Sequence, residues 1–293
     1  MKQQEIKDIL KKLENSVTQV FESEYYLKTY LTTLAKFHSY SFNNILWIYL
    51  QRPTASKVAS YIDWERKFHR HVVKGSKGIK VLVPIKKKFV TQSEVTLEDG
   101  ATALQENKYE KLYFKVGNVF DIADTTGEPL PSIVKILNFN SNFLKELINQ
   151  MILSSPIPIN ITDKVDFGTS NGYYVLTSRE IFIRNDLPDL QTLKTLLHEL
   201  SHSYQETYHA NETKDLNAGT KEVVAEATAY VTIELLREFY NMDALSSNDY
   251  SFGYIVSWSK NKELSELKST LSLISTISNS LFDWISNLKI PNI

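Results

Sequence analysis

Thr195-Leu-Leu-His-Glu-Leu-Ser-His-Ser203 decides how the second half of this chain is read. It contains His198, Glu199 and His202 in the H-E-x-x-H pattern. On an α-helix, residues four apart lie about 40° apart around the axis and one turn apart along it. Two imidazoles so placed can bind one metal ion, and Glu199 faces the same cleft, positioned to take a proton from a metal-bound water. The flanking residues support a helix from Asp189 to about Tyr208. Leu193, Leu196, Leu197 and Leu200 form an apolar stripe, and Asp186 or Asp189 is expected to cap its start.

A catalytic metal site needs a third protein ligand and one open position. The segment Lys221-Glu-Val-Val-Ala-Glu-Ala-Thr-Ala-Tyr-Val-Thr-Ile-Glu-Leu-Leu236 reads as a second helix and supplies it. Glu222 and Glu226 sit four apart beside Val223, Ala227 and Tyr230. A carboxylate on such an apolar stripe is costly unless it is paired or metal-bound. One of the two is expected to ligate the metal, and the other to hydrogen-bond a ligating histidine. Ahead of these helices, Gly172–Arg184 reads as a hairpin with its turn at Thr177–Arg179. An edge strand there would hold an extended peptide beside the metal.

The chain has 293 residues, 42% hydrophobic and 12% aromatic, enough for one large or two medium cores. It has no cysteine, which excludes disulfides and thiolate metal ligands. The N-terminus begins a polar amphipathic helix rather than a signal peptide, and no apolar run reaches membrane-spanning length. The expectation is a cytoplasmic protein without a membrane partner.

The net charge of −1 conceals an asymmetry. Residues 1–130 carry 20 Lys+Arg against 15 Asp+Glu, a balance of +5, and residues 131–293 carry 13 against 19, or −6. Within 57–88 the balance is +8, from 10 basic and 2 acidic residues. A basic stripe of this kind suits a polyanion, although solvated charged faces share the signature.

Apolar spacing predicts a helical stretch over 2–37, a helix Phe42–Leu50 ended by Pro53, and a short helix Lys57–Phe68 with Ile62, Trp64 and Phe68 turned inward. His71–Pro84 is read as a glycine turn flanked by strands, Lys86–Lys108 as a polar hairpin loop or insertion, and Tyr113–Ile122 as a strand. Thr125–Pro131 reads as a linker, which places the domain boundary at 130. A helix Asn140–Leu153, a polar loop Asn241–Phe252 and a helical C-terminus Ser257–Leu288 complete the plan. The fold class is α+β: an N-terminal mixed α/β domain (1–130), then a mostly helical domain with a small β-sheet (131–293).

The first half interleaves aromatic, amide and basic groups. Asn43, Asn44 and Trp47 form one cluster. Trp64, Arg70, Lys74, Lys77 and Lys80 form another, around the turn Lys74-Gly-Ser-Lys-Gly78. Stacking surfaces beside a basic track suit single-stranded nucleic acid. The turn is not a P-loop, because the required glycine–lysine spacing is absent.

Four segments in order resemble the N-terminal domain of ArdC-type antirestriction proteins: Ser41-Phe-Asn-Asn-Ile-Leu-Trp47, Ala59-Ser-Tyr-x-x-Trp64, Val73-Lys-Gly-Ser-Lys-Gly-Ile79 and Val119-Phe-Asp-Ile122 with Thr125. His198-Glu-Leu-Ser-His202 with Glu222-Val-Val-Ala-Glu-Ala227 is similar to the zincin-like peptidase domain of ArdC and of the ImmA/IrrE peptidases. The resemblance spans about residues 25–240. It implies single-stranded DNA binding by the first domain, with duplex DNA a second candidate, and a zincin-like metallopeptidase fold in the second. It also implies carriage on mobile elements, where such proteins protect incoming DNA from restriction. Glu226-Ala-x-x-Tyr-Val matches the family's Glu-Ala-x-x-Phe-Ala pattern, so the resemblance favours Glu226 as third ligand, with Glu222 the alternative or supporting group. The expected cofactor is one catalytic Zn²⁺, replaceable by Mn²⁺ or Co²⁺, with Glu199 as general base. Tyr173, Tyr174 or Tyr204 would stabilise an oxyanion. The alternatives are a repressor-cleaving peptidase of the ImmA type, or a DNA-coating protein whose second domain is not proteolytic. The chain departs from the family in the polar insertion at 89–108 and in its helices beyond Tyr240.

Overall fold

The computed structural model describes residues 2–96, 102–130, 141–242, 245 and 250–290. It is α+β, as the sequence implies, and divides into two compact units. The first comprises residues 1–13 and 58–127, the second 14–57 and 128–293.

The first unit is built on strands. Helix α1 (Lys2–Val20) begins in it. Strand β1 (Val58–Ser60) leads directly into α4 (Tyr61–Arg66), where one helix was expected over 57–68. The Ser60 hydroxyl accepts from the Asp63 N–H at 3.1 Å and so caps α4, which forces extended backbone before it. Trp64 is fully buried and its indole N–H donates to the Phe120 carbonyl at 2.8 Å. Ile62, expected inside, is instead 57% exposed. Strands β3 (Ile79–Thr96) and β4 (Thr102–Asp121) form one long antiparallel ribbon, paired from Ile79↔Val119 out to Thr96↔Thr102. The polar stretch 86–108 is thus regular ladder on either side of its tip; residues 97–101 lie outside the described set. β1 adds to the other edge of β4. The strands around the glycine turn do not pair with each other. β2 (Arg70–Val72) instead pairs with β5 (Thr125–Gly127), inside the segment expected to be a linker. At Gly127, with φ +140°, a Cβ would stand 2.5 Å from the His69 carbonyl oxygen, so only glycine fits.

The second unit is helical around α8 (Ala218–Tyr240). Val223, Val224, Ala227, Val231, Ile233, Leu235 and Leu236 are buried all round that helix, as a central helix requires. α2 (Glu24–Lys36), α6 (Asp189–Thr207) and α10 (Leu264–Ser286) pack on it. The expected helical stretch 2–37 breaks between α1 and α2, because the Ser23 hydroxyl caps α2 by accepting from the Tyr26 N–H at 3.2 Å. Helix α3 (Phe42–Gln51) matches expectation closely. α5 spans Ser141–Ser154, Asn140 lying outside the described residues. The helical C-terminus is two helices, α9 (Phe252–Ser259) and α10. Half of the loop expected over 241–252 lies outside the described residues, and Phe252 already belongs to α9.

The small sheet carries the hairpin. β7 (Gly172–Val175) and β8 (Glu180–Arg184) pair antiparallel, with Arg179 left-handed at φ 56° in the turn. β6 (Ile159–Thr162), unforeseen in the sequence, pairs parallel with β8. The order β6-β8-β7 leaves β7 at an edge. A Cβ on Gly172 would stand 2.7 Å from the Thr195 methyl and 2.8 Å from the Phe182 carbonyl oxygen. Glycine there lets the edge strand press against α6. α7 (Ala210–Thr213) follows α6 as a single turn.

Candidate metal centre

Helix α6 is amphipathic, and its two faces do separate work. Leu193, Leu196, Leu197 and Leu200 have no exposed surface, and each such burial contributes about 1.5–3 kcal/mol. That anchoring fixes the opposite stripe, where Lys194, His198, His202 and Glu206 recur every fourth residue. The helix starts after Pro188 without a side-chain cap. Of the two expected caps, Asp186 instead takes the Arg184 guanidinium in a bidentate pair, with contacts of 2.9 and 2.6 Å.

His198 Nε2 and His202 Nε2 lie 3.2 Å apart. Glu222, from the first turns of α8, sets one carboxylate oxygen 3.1 Å from His198 Nε2 and the other 3.3 Å from His202 Nε2. Among the described residues, His198, His202 and Glu222 form the cluster able to hold a metal ion. The spacing fits: two nitrogens bound tetrahedrally at about 2.05 Å to one Zn²⁺ would be about 3.3 Å apart.

Glu226 lies one turn further along α8 and addresses the other side of the ring, its carboxylate 3.4 Å from His198 Nδ1. Its second oxygen is 3.3 Å from Lys194 Nζ and accepts the Ser251 N–H at 3.0 Å. Lys194 Nζ also sits 4.3 Å from the centre of the Tyr250 ring. Sequence reasoning missed Lys194 and Ser251. The i, i+4 spacing of Lys194 to His198 was a readable signal for the first, whereas nothing local pointed to the second.

Glu199 is buried, and that burial raises its carboxyl above the usual range against the pull of the neighbouring histidines and a hydrogen bond from the Tyr174 backbone. Burial alone would lower His198. The Glu222 and Glu226 carboxylates outweigh it and hold the imidazolium, with a pKa of about 10. Glu222 is correspondingly held well below the carboxylate range by hydrogen bonds from His198 and His202. Burial pushes Glu226 up, but His198, the Ser251 N–H and Lys194 prevail and lower it.

A cleft of about 400 Å³ opens over this group, lined by Gly172, Tyr173, Tyr174, Glu199, Glu206 and Glu222 together with the two histidines. Tyr173 and Tyr174 of the edge strand thus reach it, whereas Tyr204 packs in the core against Tyr208.

The residues singled out for DNA are divided between the units. Asn43, Asn44 and Trp47 belong to the second unit, where Asn44 and Trp47 are buried and Asn43 half-buried. In the first, Trp64 is core, and Arg70 donates to the Thr125 hydroxyl and carbonyl at 2.8 and 3.0 Å. Lys80 meets Glu5 at 2.8 Å, while Lys74 and Lys77 stand exposed on the turn.

The architecture defines a two-unit α+β protein: a β-ribbon unit, and a helical unit presenting a His–Glu cluster beside a sheet edge. Residues 1–120 match the family described as the N-terminal domain of anti-restriction factor ArdC. The match shows an ArdC-type N-terminal domain in this part of the chain, over 120 of its 293 residues. It is 28% identical over 288 residues to the uncharacterized protein pXO2-81 of Bacillus anthracis, a match covering 88% of this chain and 47% of the relative. The chain thus spans about half the length of that curated relative. Among solved structures it is similar to the antirestriction ArdC protein from plasmid R388. The metal-free form aligns at TM-score 0.44 and 15% identity, and the Mn(II)-bound form at 0.47 and 14%. Both alignments cover 85% of this chain and 86% of the other. No described helix is long and apolar enough to cross a membrane.

Proposed function

We propose that this is an antirestriction protein of a mobile element that binds single-stranded DNA and hydrolyses peptide bonds at a divalent-metal centre. The observation that carries the peptidase reading is the convergence of His198, His202 and Glu222 within one cleft that also holds Glu199 and the edge of β7. His198, His202 and Glu222 would hold the ion, and Glu226 would fix the ring of His198 through Nδ1. This assigns to Glu222 the role that the family pattern favours for Glu226, because Glu222 alone spans both Nε2 atoms.

A bound Zn²⁺ or Mn²⁺ supplies Lewis-acid activation of a water and of the scissile carbonyl. The protein's own residues do the rest. Glu199, its carboxyl raised by burial, is suited to accept a proton from the attacking water and return it to the leaving amine. The edge strand β7 borders the cleft where an extended substrate would lie, and Tyr173 and Tyr174 line the same wall. Glu222 keeps its charge over the working pH range, so this ligand needs no deprotonation before it binds.

The test is Glu199→Gln, assayed on a proteome-derived peptide library with metal content followed in the same samples. The variant should keep its metal and lose cleavage by at least about 100-fold. Cleavage at the wild-type rate would exclude Glu199 as the base. Failure of the metal-loaded wild type to cut any peptide would favour a DNA-coating role for the whole chain.

A further inference from the structure

One face of the long ribbon is unaccounted for by any residue assigned above. Strand side chains alternate, so the paired positions Val83↔Lys115, Ile85↔Tyr113, Lys87↔Lys111 and Phe89↔Tyr109 all project to the same side. That side carries three lysines, at 87, 111 and 115, all exposed. Between them lie Tyr113, 36% exposed, and Tyr109, 48% exposed. Phe89 stacks on Tyr109 at 5.5 Å with an interplanar angle of 18°, and the ammonium groups of Lys87 and Lys111 stand 5.1 and 5.8 Å from the centre of the Tyr113 ring. The opposite side differs. It sets Lys86, Lys88 and Lys108 against Glu106 and Glu110, with Lys88 3.8 Å from Glu110, and its exposed apolar groups are Val90, Leu112 and one ring, Phe114.

We propose that the Lys87–Phe89–Tyr109–Lys111–Tyr113–Lys115 face is a docking surface for single-stranded nucleic acid, with the lysines on phosphates and the tyrosine rings beneath bases. The charge is unbalanced on this face and balanced in part on the other, which argues for a polyanionic occupant. Exposed aromatic rings set between the cations suit unpaired bases, whose faces a duplex keeps stacked inside. A row of lysines alone would bind duplex and single strand alike. The proposal rests on the nucleic-acid reading of the first unit, and moves its main contacts from the Lys74–Lys80 turn to the ribbon.

The probe is a fluorescein-labelled 20-nucleotide oligo-dT, with binding to the full chain followed by anisotropy at 50 and 200 mM salt. Three phosphate contacts contribute about 2 to the slope of log K against log salt, equivalent to roughly 20-fold between those concentrations. Lys87→Ser, Lys111→Ser and Lys115→Ser combined should therefore lower the slope by about 2. Tyr109→Ala and Tyr113→Ala should each weaken binding about tenfold. The control removes the same charge from the other side, as Lys86→Ser, Lys88→Ser and Lys108→Ser, and should change the slope by less than about 1. All these positions are exposed, and unchanged melting confirms the fold. A wild-type protein that ignores the oligonucleotide overturns both this proposal and the reading beneath it. Wild-type binding with an unaltered slope in the first triple variant overturns the ribbon alone. Equal losses from the two faces, or tighter binding of a 20-base-pair duplex, also overturn it.

Discussion

Exchanging Glu226 for glutamine while leaving Glu222 intact separates holding a metal from orienting its ligand. Glu226→Gln preserves shape but removes the charge 3.4 Å from His198 Nδ1. Losing such an outer partner typically costs 10–100-fold in metal affinity, about 1.4–2.7 kcal/mol. Glu222→Gln removes the carboxylate that lies 3.1 and 3.3 Å from the two Nε2 atoms, so its cost should exceed the upper end of that range. Stability moves differently. Lys194 and Glu226 are 13% and 11% exposed, and breaking a buried ion pair costs about 3 kcal/mol or more. Glu226→Gln should thus melt lower than Glu222→Gln although it binds metal better. Competition with a chromogenic chelator on folded protein measures affinity, and urea denaturation of the metal-free chains measures stability. If Glu226→Gln loses more affinity than Glu222→Gln, then Glu226 is the direct ligand and the geometric reasoning is wrong.

Metal binding should also release protons. In the metal-free chain His198 has a pKa of about 10, raised by Glu222 and Glu226, and is charged at pH 7. A metal must displace that proton, so affinity rises with pH up to about that value and falls below it. Calorimetry in two buffers of different ionisation enthalpy should show release of about one proton from this group; identical heats in both would refute it. Gly172→Ala should destabilise the chain by about 1–3 kcal/mol, since its Cβ would meet the Thr195 methyl at 2.7 Å and a backbone carbonyl at 2.8 Å. Urea midpoints equal to wild type would mean that β7 does not press on α6 as described.

What could be read from the sequence, and what could not, follows from how local each signal is. His198-Glu199-x-x-His202 and the leucine stripe of α6 obey one helical period, so helix, site face and core face were all readable. So was the β7–β8 hairpin, whose turn and alternation are local. The choice between Glu222 and Glu226 was not local, because both project from the same stripe of α8 and only the crossing of α8 over α6 decides which meets the Nε2 atoms. Parallel pairing of β6 with β8, and antiparallel pairing of β2 with β5 across more than fifty residues, are likewise set by tertiary packing. Trp64 shows the opposite failure. An aromatic beside arginine and lysine suggested stacking on bases, yet its indole N–H finds the Phe120 carbonyl and the ring fills the core. The polar composition of 86–108 concealed regular ladder, because a two-stranded ribbon exposes both faces and needs no apolar alternation.

The central claim is that His198, His202 and Glu222 hold one divalent ion. Metal content after reconstitution with Zn²⁺ and extensive dialysis, measured by elemental analysis on wild type and His202→Ala, tests it most directly. One ion per chain in wild type, and a small fraction of one in a His202→Ala protein of unchanged fold, is the predicted result. A full equivalent retained by His202→Ala, or none in wild type with Zn²⁺ or Mn²⁺, would contradict it.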